Sequence, residues 1–330
     1  MTDSPFRVGA YVCGTPACAR ELKPHEKLLT AYADGAIDDE REAYLSHFAF
    51  GAEMRGHFEA NGGSVARYAG PCAARRVVLD IDRADLAEAL EDARRLVRTI
   101  HRRYPESEGD VPVYFSGGKG FHVMVELAHR PPPAVGFQHT AHAYAEALAA
   151  LAGVTIDAGI YDVNRLVRLP NTRHPRTGLF KRRIDAEALF RLDIAAILET
   201  AKLPAGDGIP AARTPPAQLA KDWLKAEAHA AGKAVAWAAV RRDCGSTDAR
   251  APRYFTDLLR FGVGVGDRHH TLFRCAAWLT EQGAPPSLCS ALLTEAGHDV
   301  GLPPADVARQ IDCGVRHALK QQQAEGGHSP

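Results

Sequence analysis

The seven residues Arg76-Val77-Val78-Leu79-Asp80-Ile81-Asp82 constrain this chain more than any other stretch. A short apolar, β-branched run reads as a buried strand, and this one ends in acids. Strand side chains alternate, so residues i and i+2 share a face, and both carboxylates point the same way. Two close like charges repel unless a cation lies between them. A hard divalent ion with oxygen ligands is the natural resolution. The alternative is a pair of strand-end acids that cap the next helix. That helix is expected over 84–103, where apolar residues recur at spacings of three and four.

A second motif follows: Ser116-Gly117-Gly118-Lys119-Gly120-Phe121-His122. It joins two expected strands, 111–116 and 121–127, as a hairpin loop. The glycines free the backbone to approach a ligand. Successive N–H groups in such a turn make an anion nest. Lys119 adds a point charge, Ser116 a hydroxyl and His122 a ring nitrogen. This suits a triphosphate, although it is not a P-loop, because GxxxxGK[ST] is absent and no helix follows. The competing reading is an ordinary glycine-rich hairpin.

The third motif runs from Ile156-Asp157 to Asn164, Arg165 and Arg168. From 163 to 184 there are seven basic residues and no acid. The ordinary meaning of such a run is a solvated face, and that is the expectation for Arg182 and Arg183. Arg165 and Arg168 differ, because they alternate with Leu166, Val167 and Leu169. Partly buried arginines need an anion, and the guanidinium fork matches phosphate oxygens.

The rest of the chain supplies organisation. At 330 residues it is long enough for about two domains. Residues 20–60 read as helical, as do 138–152 and 185–202. Residues 203–217, rich in Pro, Gly and Ala, read as a linker. Beyond it the pattern is helical only: 218–240, 268–282, 286–296 and 304–320, with a frayed end. The expected fold class is therefore α+β followed by a small all-α domain. Its boundaries are a catalytic domain at 1–202, the linker at 203–217 and a helical module at 218–330. The 40 basic and 40 acidic residues balance, which excludes a wholesale basic protein but not a local basic groove. No apolar run reaches the ~18 residues of a membrane helix, and no secretory signal is evident. Seven cysteines without a CxxC pair read as free thiols, so a cytoplasmic location with no membrane partner is expected. Cys13, Cys18, His25, His47 and Cys72 form a candidate zinc set, although their spacing fits no standard finger.

An apolar DxD, then SGGKGFH, then an apolar-Asp pair followed by NRxxR resembles the archaeo-eukaryotic primase superfamily, including primase-polymerases of plasmids and phages. The resemblance spans roughly residues 65–185. It implies an RRM-like palm with a smaller α/β layer, and a two-metal centre of Asp80, Asp82 and Asp157 holding Mg²⁺ or Mn²⁺. It also implies nucleotide binding by Ser116, Gly118, Lys119, His122, Asn164, Arg165 and Arg168. Many members carry Ser two residues before the motif-two His, where this chain has Gly120. Residues from Gly266-Asp267-Arg268-His269-His270 to Leu302-Pro303 resemble, more loosely, the helical domain that follows the catalytic domain in plasmid and phage primases.

The resemblance implies a primase-polymerase acting on nucleoside triphosphates and a single-stranded DNA template. No helicase motif is present, so a replicative helicase partner would be a separate chain. Two rivals stand beside this reading. One is a gap-filling repair polymerase that does not prime. The other is an inactive nucleic-acid-binding replication accessory, which would gain nothing from clustered acids facing phosphate.

Overall fold

The acid-tipped run forms the edge strand of a four-stranded antiparallel sheet. In a computed structural model, residues 7–37, 41–107, 111–127, 132–209, 216–243, 251–263 and 266–326 are described. The chain divides into two units, residues 1–234 and 235–330. The first unit begins β1 (Val8–Cys13), β2 (Glu21–Pro24), α1 (His25–Ala33), β3 (Ala43–Ser46), β4 (Ala49–Phe50), α2 (Glu53–Ala60) and β5 (Cys72–Ala73). It continues β6 (Arg76–Asp82), α3 (Leu86–Arg103), β7 (Val113–Phe115), β8 (Gly120–Glu126), α4 (Phe137–Ala152), β9 (Leu166–Arg168), β10 (Arg182–Ile184), α5 (Ala186–Arg191) and α6 (Ile194–Thr200).

Two antiparallel sheets result. One has the order β10-β7-β8-β6; the other runs β5-β4-β1-β3-β9, with β2 also on β1. On β6, Val77, Leu79 and Ile81 are fully buried and alternate with Val78, Asp80 and Asp82. α3 and α4 pack against β8 and β6. α3 starts where the Asp85 side chain accepts the Ala87 N–H, and it ends in His101, Arg102 and Arg103, which suit the negative end of its dipole. A partly open pocket of about 50 Å³ lies between the two sheets, lined by Val78 and Met124 from one and by Leu45 and Val167 from the other.

α7 (Ala217–Asp243) spans the division between the units. Its first half buries Leu219, Trp223 and Ala226 in the core of the first unit. The Trp223 ring lies 5.1 Å from Phe137 and 5.7 Å from Tyr144. Asp222 accepts from Arg103 at 2.6 and 2.7 Å and from the Tyr104 hydroxyl at 2.9 Å. The second unit contains α8 (Arg253–Phe261), α9 (Arg268–Glu281), α10 (Pro286–Asp299) and α11 (Pro304–Gly326), around Leu272, Cys275, Leu293 and Ile311.

The architecture is thus mixed α+β with a helical C-terminal region, as the order of elements predicts. Several boundaries differ. Residues 20–60 hold three strands as well as α1 and α2, because Ala43, Leu45 and Phe50 are buried in a sheet rather than on a helix face. The expected helix at 185–202 is two, broken at Leu192-Asp193, where Asp193 caps α6. β1 and α8 went unforeseen. The linker reading also changes. The Ala205 N–H donates to Asn171 Oδ1, the Gly208 N–H donates to the Ala33 carbonyl, and Arg182 donates to the Leu203 carbonyl. Residues 203–208 are therefore fastened to the first unit, whose compact body extends through half of α7. Residues 210–215 of the expected linker, and the terminal 327–330, lie outside the described residues.

Candidate active site

Pairing of β6 with β8 sets Asp80 opposite His122 and Asp82 opposite Gly120. Alternation then puts the two acids and the histidine on one face, with His122 Nε2 3.4 Å from Asp80 Oδ1. Gly120 departs from the serine of the family pattern for a visible reason. A Cβ there would sit 1.8 Å from the Ile81 carbonyl oxygen, so only glycine permits this pairing. The third acid arrives along the free edge of β6, where the Asp157 N–H donates to the Asp80 carbonyl at 2.9 Å. Its side chain caps a short 3-10 turn, accepting the Gly159 N–H at 2.8 Å, and lies 3.7 Å from Arg165 Nη2. Neither β6 acid caps α3, since Asp85 does so. The capping alternative therefore does not account for Asp80 and Asp82.

Charge is concentrated here. Burial, reinforced by Asp82 and Asp157, pushes the Asp80 carboxyl up to about 8. Burial also raises Asp82, with Lys119 opposing and Asp157 adding. Asp80 Oδ1 is buried with no hydrogen-bond partner. A repelling set of hard oxygen donors with an orphaned buried oxygen fits a divalent cation. The set is not closed as it stands. Among the described residues no group of three or more His, Cys, Asp or Glu side chains meets metal-holding spacing, and the Asp157 carboxylate faces Gly159 and Arg165. Asp80 and Asp82, which share a strand face, are the pair that could hold an ion. The zinc candidates do not converge either: His25 Nε2 contacts the Ser46 carbonyl and the Cys72 thiol contacts Gln138.

The glycine hairpin is braced from two sides. Ser116 Oγ accepts the Gly118 and Gly120 N–H groups at 3.2 and 3.3 Å, so its acceptor capacity is spent within the loop. The Arg168 Nη2 donates to the Ser116 carbonyl, while Nη1 is buried without a partner. Lys119 is exposed at the tip. Asn164 is half-buried, with an unpartnered Oδ1, and its N–H donates to Asp162. Arg168 thus stands against the loop, and Arg165 stands against Asp157.

Three further residues belong to this site that sequence reasoning missed. Thr177 donates to the Gly117 carbonyl, which brings the 171–181 segment over the loop. His174 Nδ1 accepts the Arg176 and Thr177 N–H groups. Nε2 must then carry the proton, and it lies 3.0 Å from where a Gly118 Cβ would be. Lys181, 1% exposed, places Nζ 3.0 Å from His122 Nδ1. Burial and Arg168 lower its ammonium to about 7, with Asp80 opposing. His47 is buried behind it, unpartnered at both ring nitrogens and held down to about 3 by burial. The available signal for Lys181 was its place beside Phe180 in a segment returning to the sheet. Arg182 and Arg183 correct the solvated-face expectation: Arg182 donates to the Thr200 and Leu203 carbonyls, and Arg183 to that of Asp207.

No helix among the described residues is long and apolar enough to cross a membrane. No protein-family model matches the chain, and no curated protein matches it. Among solved structures it is similar to one described as a crystal structure of primase RepB′, with 14% identity and a TM-score of 0.32, over 98% of this chain and 94% of that one.

Proposed function

We propose that this chain is a primase-polymerase, performing template-directed nucleotidyl transfer from nucleoside triphosphates on single-stranded DNA. The observation that carries the reading is the convergence around Asp80. A second carboxylate shares its strand face, a third is tied to its backbone, a histidine sits across the ladder, and a braced glycine loop with half-buried Arg168 adjoins it. β6-α3-β7-β8-α4, with the 154–157 segment against β6, is consistent with an RRM-like palm.

Divalent ions held by Asp80 and Asp82, joined by Asp157, would activate the attacking hydroxyl and neutralise the leaving pyrophosphate. The chain's own residues do the rest. Arg168 presents its unpartnered Nη1 beside the loop, and His174 and Lys119 flank it, so the triphosphate lies over Gly117–Lys119. His122 offers a ring nitrogen to the phosphates next to Asp80. Arg165, 3.7 Å from the Asp157 carboxylate, would be free to pair with phosphate oxygens if a cation took its place there. These groups would stabilise charge developing on the phosphates, which is where such a site gains rate.

The test is synthesis on circular single-stranded DNA with labelled nucleotides and Mg²⁺ or Mn²⁺. Unprimed products that vanish in the Asp80→Ala, Asp82→Ala double variant support the proposal. Extension only from a supplied primer selects gap filling, and incorporation retained by the double variant removes the site assignment.

A further inference from the structure

The 171–181 segment folds back on itself as an antiparallel arm. The Asn171 N–H donates to the Lys181 carbonyl, the Lys181 N–H to the Thr172 carbonyl and the His174 N–H to the Leu179 carbonyl, with Arg173 bridged to Phe180 between them. Asn171 and Lys181 form its base. Its tip is 174–178, where Thr177 donates to the Gly117 carbonyl. The unusual conformation lies at the base. Asn171 has a φ of +57°, in the left-handed region that Gly, Asn and Asp enter most readily. Its side chain has three partners outside the arm. Nδ2 donates to the Tyr32 carbonyl at 2.8 Å and to the Ala33 carbonyl at 3.3 Å, and Oδ1 accepts the Ala205 N–H at 3.1 Å. Those partners fix the orientation of the amide, since a carbonyl only accepts and a backbone N–H only donates. Tyr32 and Ala33 belong to the last turn of α1, where carbonyls lack partners within the helix. Glycine fits this backbone but has no side chain. Aspartate fits it too, but would set a carboxylate against two carbonyls. Asparagine meets both demands.

We infer that Asn171 is a positioning residue: it anchors the base of the arm to the end of α1 and to residues 203–208, and so sets where the tip stands over the glycine loop. That role rests on the proposed function, in which the loop carries the triphosphate. The base is the sensitive point. At ~3.3 Å per residue, His174 lies roughly 10 Å along the arm from Asn171. A tilt of about 10° at the base moves the tip by about 2 Å, and about 1 Å already matters to a bound reactant. The returning strand of the arm is held separately, by the Phe180 N–H on the Ala201 carbonyl. Thr172 is fully buried, and its hydroxyl donates to the Leu169 carbonyl. Loss of the Asn171 side chain therefore shifts the arm and spares the fold.

The experiment compares the full chain with Asn171→Gly, which keeps the backbone conformation, and Asn171→Asp, which keeps it but replaces the donating amide with an acceptor. Hydrogen–deuterium exchange and kinetics on a primed template are read together. In Asn171→Gly the amides of 172–181 exchange faster, while those of β6 and β8 keep their protection. The nucleotide KM rises about 10–100-fold, kcat changes less, and template affinity measured without nucleotide is unchanged. Asn171→Asp is the more severe of the two. An arm as protected in Asn171→Gly as in the unsubstituted protein overturns the inference. So does an unchanged nucleotide KM, or an Asn171→Asp variant that matches the parent. Faster exchange spread evenly over the first unit also overturns it, because Asn171 would then be a general stabilising residue. An arm loosened in a chain that incorporates no nucleotide overturns the proposed function and leaves the anchor standing.

Discussion

Arg168 and Asp80 carry opposite strains within one site. Arg168 is held by the Ser116 carbonyl and keeps one donor unpartnered. Replacing it by Ala removes a charge-assisted contact of about 1.5–3 kcal/mol. We expect a loss of about 10–150-fold in nucleotide kcat/KM, with Lys restoring only part because it lacks the fork. Template affinity measured by anisotropy without nucleotide should hardly change. A large fall in that affinity with nucleotide KM intact would make the segment a template track. Asp80 is the reverse case. Its carboxyl titrates near 8 in the fold against an ordinary 3.8, so between those values the folded state binds the extra proton. Stability therefore declines as pH rises through that window and is level above it. Asp80→Asn removes the penalty. Its melting temperature should exceed that of the unsubstituted, metal-free protein by a few degrees at pH 8 and by less at pH 5, while synthesis is lost. Equal shifts at both pH values would mean that the charge is not the cause.

At the scale of elements, the β6–β8 ladder decides the site. Gly120 faces Asp82 across it, with no room for a Cβ beside the Ile81 carbonyl. Gly120→Ser, which would restore the family pattern, should therefore push the strands apart instead of adding a useful hydroxyl. A cost of about 2–3 kcal/mol corresponds to a fall of roughly 4–12 °C in the melting temperature of the first unit. Differential scanning calorimetry reads this directly. A variant as stable as the parent, with activity raised, would show that the ladder is slack there. The same ladder explains what pattern reading reached. Alternation in RVVLDID put Asp80 and Asp82 on one face and register supplied His122. The 171–181 segment, which sets His174 and Lys181 against that face, carries no periodicity by which to find it.

For the whole molecule the informative element is α7. Trp223 and Asp222 fasten its first half to α3 and α4. A fragment ending at 202 would uncover Phe137, Tyr104 and Tyr144, whereas one ending at 234 keeps them covered. We expect the longer fragment to be soluble and cooperative and the shorter to bind a hydrophobic dye. Trp223→Ala should cost about 3–5 kcal/mol, or about 6–20 °C in the first transition, and leave the second unit's transition in place. Comparable stability of the two fragments would return the boundary to residue 202.

The linear order of residues was enough to determine the helices α3, α4, α9, α10 and α11, the two-carboxylate strand and the glycine hairpin. Each follows from local periodicity or turn chemistry that neighbours in sequence enforce. It also determined that the C-terminal region is helical, since nothing beyond residue 217 alternates with a period of two. Only the tertiary structure decided that 20–60 yields three strands, because Ala43, Leu45 and Phe50 become strand residues by pairing with β1 and its neighbours. Only the tertiary structure buried Lys181 against His122, turned Arg182 onto backbone carbonyls and drew half of α7 into the first unit. Burial, and with it the shift of Asp80 toward neutrality, is a property of what packs around a residue. Residues far apart in the chain supply that packing.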